Sequence, residues 1–375
     1  MKINIAVAII CISISLVSNA TAEESEDLDF IKGQLSVSAK YDSNVDLISQ
    51  KVHDDPNIDD EIDDAWITEL AAWIYLMSPA TSSWHFYLQF YGLADLYVET
   101  PDDSWTLGRG YLETGYTVGK NTLSVTDEPF YFTEPDDTDF DNFLNTAGIH
   151  YKRVISDLWQ TKLGYINTYH LYPENSRFNY LANGGFIEIK NTWTTTFSTD
   201  CRFRYQQIEG ISKSSDNDND FNIETGRRLA GEIGLESFFG GKNFVMGTYS
   251  YESDENENEN LDEIGFINGE DENLETDAEF NYLKHKGTLL FMHRFNDGIR
   301  VTFFEEFIHK TAKADGAEES GERIDLLFCT SAWVNVRLYE ELYTKILYLY
   351  RMNESTRDAK DFQDHIGQVG LGYQF

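Results

Sequence analysis

Cysteine, proline and positive charge are scarce in this 375-residue chain, which has 3 Cys, 6 Pro and 29 Lys plus Arg against 65 Asp plus Glu. The resulting net charge of −36 excludes a nucleic-acid binder, because phosphate would be repelled and its counterions would not be released. Beyond residue 17 no stretch approaches the roughly 18 uninterrupted apolar residues of a membrane helix. Any passage through a bilayer must therefore be made by strands. What the chain does have favours them: 22 Tyr and 25 Phe are rings that fit a pleated surface.

The amino terminus reads as an export signal. Lys2 precedes an apolar run over residues 3–17, followed by Ser18, Asn19 and the small-residue site Ala20-Thr21-Ala22, so 1–22 is expected to be cleaved. Cys11 follows Ile10, where a lipoprotein signal wants a small residue, and lipid anchoring is not expected. Residues 23–32 then form a short periplasmic segment ahead of an all-β unit over 33–375. At the other end Val369, Leu371, Tyr373 and Phe375 alternate with polar residues or glycine and share one face of a strand.

Alternating segments recur between these ends, about sixteen in number, an even count as membrane barrels require. In one of them Trp84, Phe86, Leu88, Phe90, Ala94, Leu96 and Val98 oppose His85, Tyr87, Gln89, Tyr91, Asp95 and Tyr97. Alternation alone also suits a β-sandwich with one wet face. The links decide between them. Long ones at 43–64, 100–104, 133–142, 173–177, 210–225, 253–279, 311–323 and 353–365 alternate with tight turns at 79–82, 119–121, 156–158, 192–194, 240–243, 296–298 and 339–341. A transmembrane antiparallel β-barrel sorts its links this way, with short periplasmic turns and long outer loops. Asn296-Asp297-Gly298 suggests positive φ angles in a tight hairpin. Asp127-Glu128-Pro129 suggests a bulge or a shortened pairing in the fifth strand. Alternation points Cys201 outward and Cys329 inward, so no disulfide is expected.

The carboxy-terminal pattern resembles the closing strand of Gram-negative outer-membrane barrels of the porin kind. In those, an aromatic terminus is the address read by the barrel-assembly machinery, so Val369, Leu371, Tyr373 and Phe375 take the role of assembly signal. The same resemblance implies outer-membrane lipid and lipopolysaccharide as surroundings. A second string, Ala39-Lys40-Tyr41-Asp42-Ser43-Asn44-Val45-Asp46-Leu47, resembles the opening of the barrel in surface lipoprotein assembly modifiers and some exopolysaccharide-export barrels. It implies a barrel that moves or presents something across the outer membrane. The modifiers carry a helical-repeat domain before the barrel, and here only residues 23–32 stand in that place.

The long links carry most of the negative charge; the stretch 253–279 has no Lys or Arg, which suggests solvated loops that gather divalent cations diffusely. Asp216-Asn217-Asp218-Asn219-Asp220 begins like a calcium loop, but Phe221 stands where the turn needs Gly and Arg227 where a bidentate Glu belongs. No metal or cofactor is expected. Inward positions give Arg202, Arg204, Arg228, Lys284, Lys286, Arg294, Arg300, Arg337, Lys345 and Arg351 from the second half, and Glu69, Asp95, Glu113, Tyr87 and Tyr91 from the first. Either a basic wall faces an acidic, tyrosine-rich one across a channel for small polar or charged solutes, or these groups pair with neighbours and fill the lumen. A third reading is a rim-located hydrolase using one of His85, His150, His170, His285, His293, His309 or His365 as base. No G-x-S-x-G or H-E-x-x-H supports it, and no catalytic residue is assigned.

Overall fold

A computed structural model describes residues 31–43, 64–78, 83–98, 104–133, 141–173, 179–211, 225–256, 281–313, 322–356 and 362–375. The expected export signal, most of each acid-rich link, the calcium-like string at 216–220 and the 79–82 turn lie outside these residues. Sixteen strands are present: β1 Ile31–Asp42, β2 Ala65–Met77, β3 Trp84–Tyr97, β4 Trp105–Val118, β5 Asn121–Thr133, β6 Asn142–Val154, β7 Trp159–Leu171, β8 Tyr180–Thr194, β9 Phe197–Gly210, β10 Thr225–Phe239, β11 Asn243–Asn256, β12 Tyr282–Asn296, β13 Ile299–Lys313, β14 Glu322–Arg337, β15 Leu342–Ser355 and β16 Phe362–Gln374. Each pairs with the next, and β1 pairs with β16 to close the barrel. The first strand begins at Ile31, so the last two residues of the expected amino-terminal segment belong to it.

Register fixes the shape. Following paired residues strand by strand from Val37 around the cylinder returns to β1 displaced by about 20 residues, which tilts the strands about 40°. A backbone cylinder of sixteen strands so tilted is about 30 Å across, too wide for side chains to fill from both walls.

On most strands the apolar face is the convex one. Val37, Phe86, Leu163, Phe203, Ile233, Phe303, Ile346 and Val369 are all exposed, a surface that water would penalise and lipid accepts. Rings gather at both of its edges. At the short-turn end Trp84 stacks near Tyr116 with centroids 4.8 Å apart and Trp159 near Trp193 at 6.3 Å; at the long-link end Tyr41 and Trp66 are 5.3 Å apart. These are the interfacial girdles of a membrane barrel.

Two local expectations need correction, and a third is met on one side of its strand. The 296–298 hairpin turns without positive φ, which among the described non-glycine residues occurs only at Asn281; instead the Asn296 side chain accepts from Gly298 N at 2.8 Å and the register slips between Arg294 and Asn296. The β8–β9 turn falls at Thr195 and Thr196, because β8 runs on to Thr194 through an irregularity at Thr192. At residues 127–129 the expected shortened pairing is found on one side of β5: its ladder with β6 is continuous, but that with β4 is interrupted between Arg109↔Phe130 and Leu112↔Asp127. The gap falls at Pro129, which has no N–H to give and packs against Gly110 of β4.

The seam between first and last strand is fastened at both ends. Near the short turns Gly33 and Phe375 exchange backbone hydrogen bonds of 3.0 and 3.1 Å, and the Phe375 ring covers Gly33 so closely that an added Cβ would lie 2.3 Å from Cζ. At the other end Ser43 Oγ accepts from His365 N at 2.8 Å and donates to Asp364 at 3.3 Å. Arg351 joins Asp364 at 2.5 Å and reaches Asp42 at 3.8 Å.

Candidate functional site

Side chains on the concave face converge, so contacts that skip a strand identify it. Lys40 on β1 reaches Asp95 on β3 at 2.7 Å, Gln368 on β16 donates to Glu69 on β2 at 2.6 Å, and Arg204 on β9 meets Glu252 on β11 at 2.9 Å. Register then carries the assignment to every strand. Arg202, Arg204, Arg228, Lys284, Lys286, Arg294, Arg300, Arg337, Lys345 and Arg351 lie on this concave face, as do Glu69, Tyr87, Tyr91, Asp95 and Glu113. Cys201 is on the convex face and Cys329 on the concave one; both are free thiols.

Charge is distributed unevenly along the lumen. Toward the long-link end the bases pair with acids of the same wall: Arg204 with Glu252, Arg228 with Asp254 at 2.8 Å, Lys286 with Glu306, and Arg351 with Asp364. Rings seal this cluster. Tyr282 donates to Glu252 at 2.5 Å, Lys310 lies 4.7 Å from the Tyr282 ring, and Arg228 lies 6.0 Å from the Tyr180 ring. Tyr180, Ala182 and Ile208 beneath them are buried. Such a packed, ion-paired patch costs desolvation that only complete pairing offsets, and it narrows the lumen on the β8–β12 side.

Toward the short-turn end Lys190 still lies 3.7 Å from Glu236, but on β12 to β14 the bases stand without acids. Arg294, Arg300 and Arg337 make no ion pair among the described residues, and Arg294 faces Arg300 directly across its ladder. Half a turn away from β12, strands β2 to β4 supply an aromatic row: Trp73 to Tyr75 at 4.5 Å, Tyr75 to Tyr87 at 6.2 Å, and Tyr87 to Tyr111 at 5.7 Å. Beside it Glu113 accepts from Tyr111 at 2.8 Å and lies 3.7 Å from His85 and 3.5 Å from His150.

The alternation was silent about several partners. Asp254 and Asp364 sit where strand passes into acid-rich link, and composition there reads as solvated loop although both are fully buried in ion pairs. Lys40 could have been found, since it alternates with Ser38 and Asp42 on a strand whose other face is apolar. Of the candidate histidines, His285 and His365 face outward and bond Tyr249 at 2.7 Å and Tyr348 at 2.8 Å, while His85 and His150 face inward beside Glu113.

No protein-family model and no curated protein matches the chain. Among solved structures it is similar to the outer-membrane protein OpdK of Pseudomonas aeruginosa (9% identity, 93% of this chain and 100% of that one, TM-score 0.48). It is also similar to OmpT of Vibrio cholerae (11% identity, 92% and 97%, TM-score 0.44) and to a bacterial polysaccharide outer membrane secretin (7% identity, 92% and 98%, TM-score 0.42). At these identities the likeness extends to the fold alone.

Proposed function

We propose that the barrel is a porin-like channel through which small polar or charged solutes pass passively. The observation that carries this reading is the concave wall, which holds charged side chains toward both ends of a cylinder too wide to be filled by side chains. Within it, the unpaired Arg294, Arg300 and Arg337 supply a fixed positive field near the short-turn end, while the rings of β2 to β4 offer a stacking surface half a turn away. The paired cluster of Arg204, Arg228, Glu252 and Asp254 narrows the path and fixes its shape.

Planar-bilayer recording tests the reading: purified, refolded protein is expected to give discrete conductance steps with a measurable ion preference. A protein that inserts and shows heat-modifiable migration on gels, yet gives no steps, is not an open channel. Export of lipoprotein or polysaccharide remains the competing reading, resting on the string around Tyr41. In the structure Asp42 and Ser43 of that string fasten the barrel seam, which favours a structural role for it.

A further inference from the structure

The convex face is not apolar everywhere. On β5 to β8 its central zone carries Asp127, Asn145, Asn167 and Asn183; Ala147 pairs with both Asp127 and Asn167, Pro129 pairs with Asn145, and Gly110 and Gly185 flank the zone. Asp127 is the middle residue of β5. Elsewhere the same depth carries residues such as Phe203, Ile233, Leu289 and Ile346, with Glu305 an isolated acid on β13. Hydrocarbon cannot hydrogen-bond these amides, so the zone is misplaced on a barrel bounded only by lipid.

The bonding within the zone is incomplete. Asn183 Oδ1 accepts from Tyr165 at 2.5 Å and from Asn167 Nδ2 at 2.7 Å, which leaves Asn167 Oδ1 and Asn183 Nδ2 unused. Asn145 makes no hydrogen bond among the described residues, its Oδ1 being buried without a partner. Asp127 forms no ion pair among them. Small residues make the zone approachable, since Gly108 has open space where a Cβ would project. Beside it runs a groove of about 560 Å³ lined by Leu123, Ile149, Leu163, Tyr165, Asn183 and Gly185.

We propose that this face is the seat of a second copy of the same chain, forming a two-fold dimer within the membrane. A carboxamide both donates and accepts, so a field of asparagines is complementary to itself and needs no other residue type across from it. A two-fold axis along the membrane normal keeps every residue at its own depth and pairs a patch with itself. Placed between β6 and β7, the axis brings Asn145 Nδ2 of one copy to the free Asn167 Oδ1 of the other, and the reverse, because strand tilt sets the two residues at nearly the same depth. The glycines let the walls approach closely, and the groove receives apolar side chains of the second copy. The inference is independent of whether the lumen conducts.

The test is cross-linking in reconstituted membranes, in a full-length Cys201→Ser, Cys329→Ser background. Asn167→Cys is expected to give an oxidation-dependent product of twice the chain mass, and Leu289→Cys, at similar depth on the far side, is expected to give little. An Asp127→Leu, Asn145→Leu, Asn167→Leu, Asn183→Leu variant is expected to sediment in mild detergent at half the mass of the wild type while keeping heat-modifiable migration. The proposal is overturned if Asn167→Cys stays monomeric with its thiol free on denaturation, if both positions cross-link equally, or if the product has another protein's mass. Cross-linking between Asn167→Cys and Glu305→Cys copies would replace the two-fold pair by a head-to-tail row. The cross-linking arm decides even if the leucine variant does not fold.

Discussion

Gly33 is the residue on which the seam turns, because the Phe375 ring occupies the space any side chain there would need. Replacing it by valine overpacks that contact and is expected to cost about 1–3 kcal/mol, read as a lowered midpoint of guanidinium unfolding in micelles with unchanged slope. A second residue-scale prediction concerns Arg228, whose partner Asp254 is fully buried. Arg228→Leu strands that carboxylate and is expected to destabilise the barrel by about 3–5 kcal/mol, and Arg228→Leu with Asp254→Leu is expected to recover most of the loss. A double-mutant cycle in the same unfolding assay measures the coupling.

At the scale of the strand, alternation carried most of the information. The face of each lumen-assigned residue could be read from the sequence because a period of two leaves only two choices, and an apolar neighbour at either side settles which. What could not be read was pairing. Arg204 meets Glu252 across an intervening strand, a contact set by barrel curvature and stagger that no single strand encodes. The ends of strands were obscured where β11 and β16 border acid-rich links, whereas Pro129 did mark the gap in the β4–β5 ladder. The β-hairpin at Asn296 adds a prediction. Asn296→Ala removes the oxygen that receives Gly298 N and is expected to cost about 1 kcal/mol, seen as faster hydrogen exchange at the β12–β13 turn with little change at β14–β15.

For the whole molecule, the division between paired and unpaired bases predicts how selectivity responds to substitution. Arg294→Glu, Arg300→Glu and Arg337→Glu together are expected to move the zero-current potential toward cation preference under a salt gradient. Arg204→Gln is expected to move it less, because that charge is already offset by Glu252. The preference of the wild type is expected to fade as salt rises from roughly 0.01 to 1 M, where the screening length shortens from about 30 to 3 Å and the fixed charges no longer reach across a lumen of this width. A zero-current potential that ignores both the triple substitution and ionic strength would place the controlling field elsewhere than on β12 to β14.

The fastening of Gly33 to Phe375 also imposes an order of events on biogenesis. The first strand of the barrel to cross into the periplasm has to wait, one edge unsatisfied, until β16 has been delivered. Until then each intermediate carries two open strand edges, the template for wrong partnerships between chains. A nascent molecule cut short by a single hairpin is therefore not a slightly smaller pore but a sheet with nothing to close against, and its fate rests with whatever chaperone or protease reaches it first.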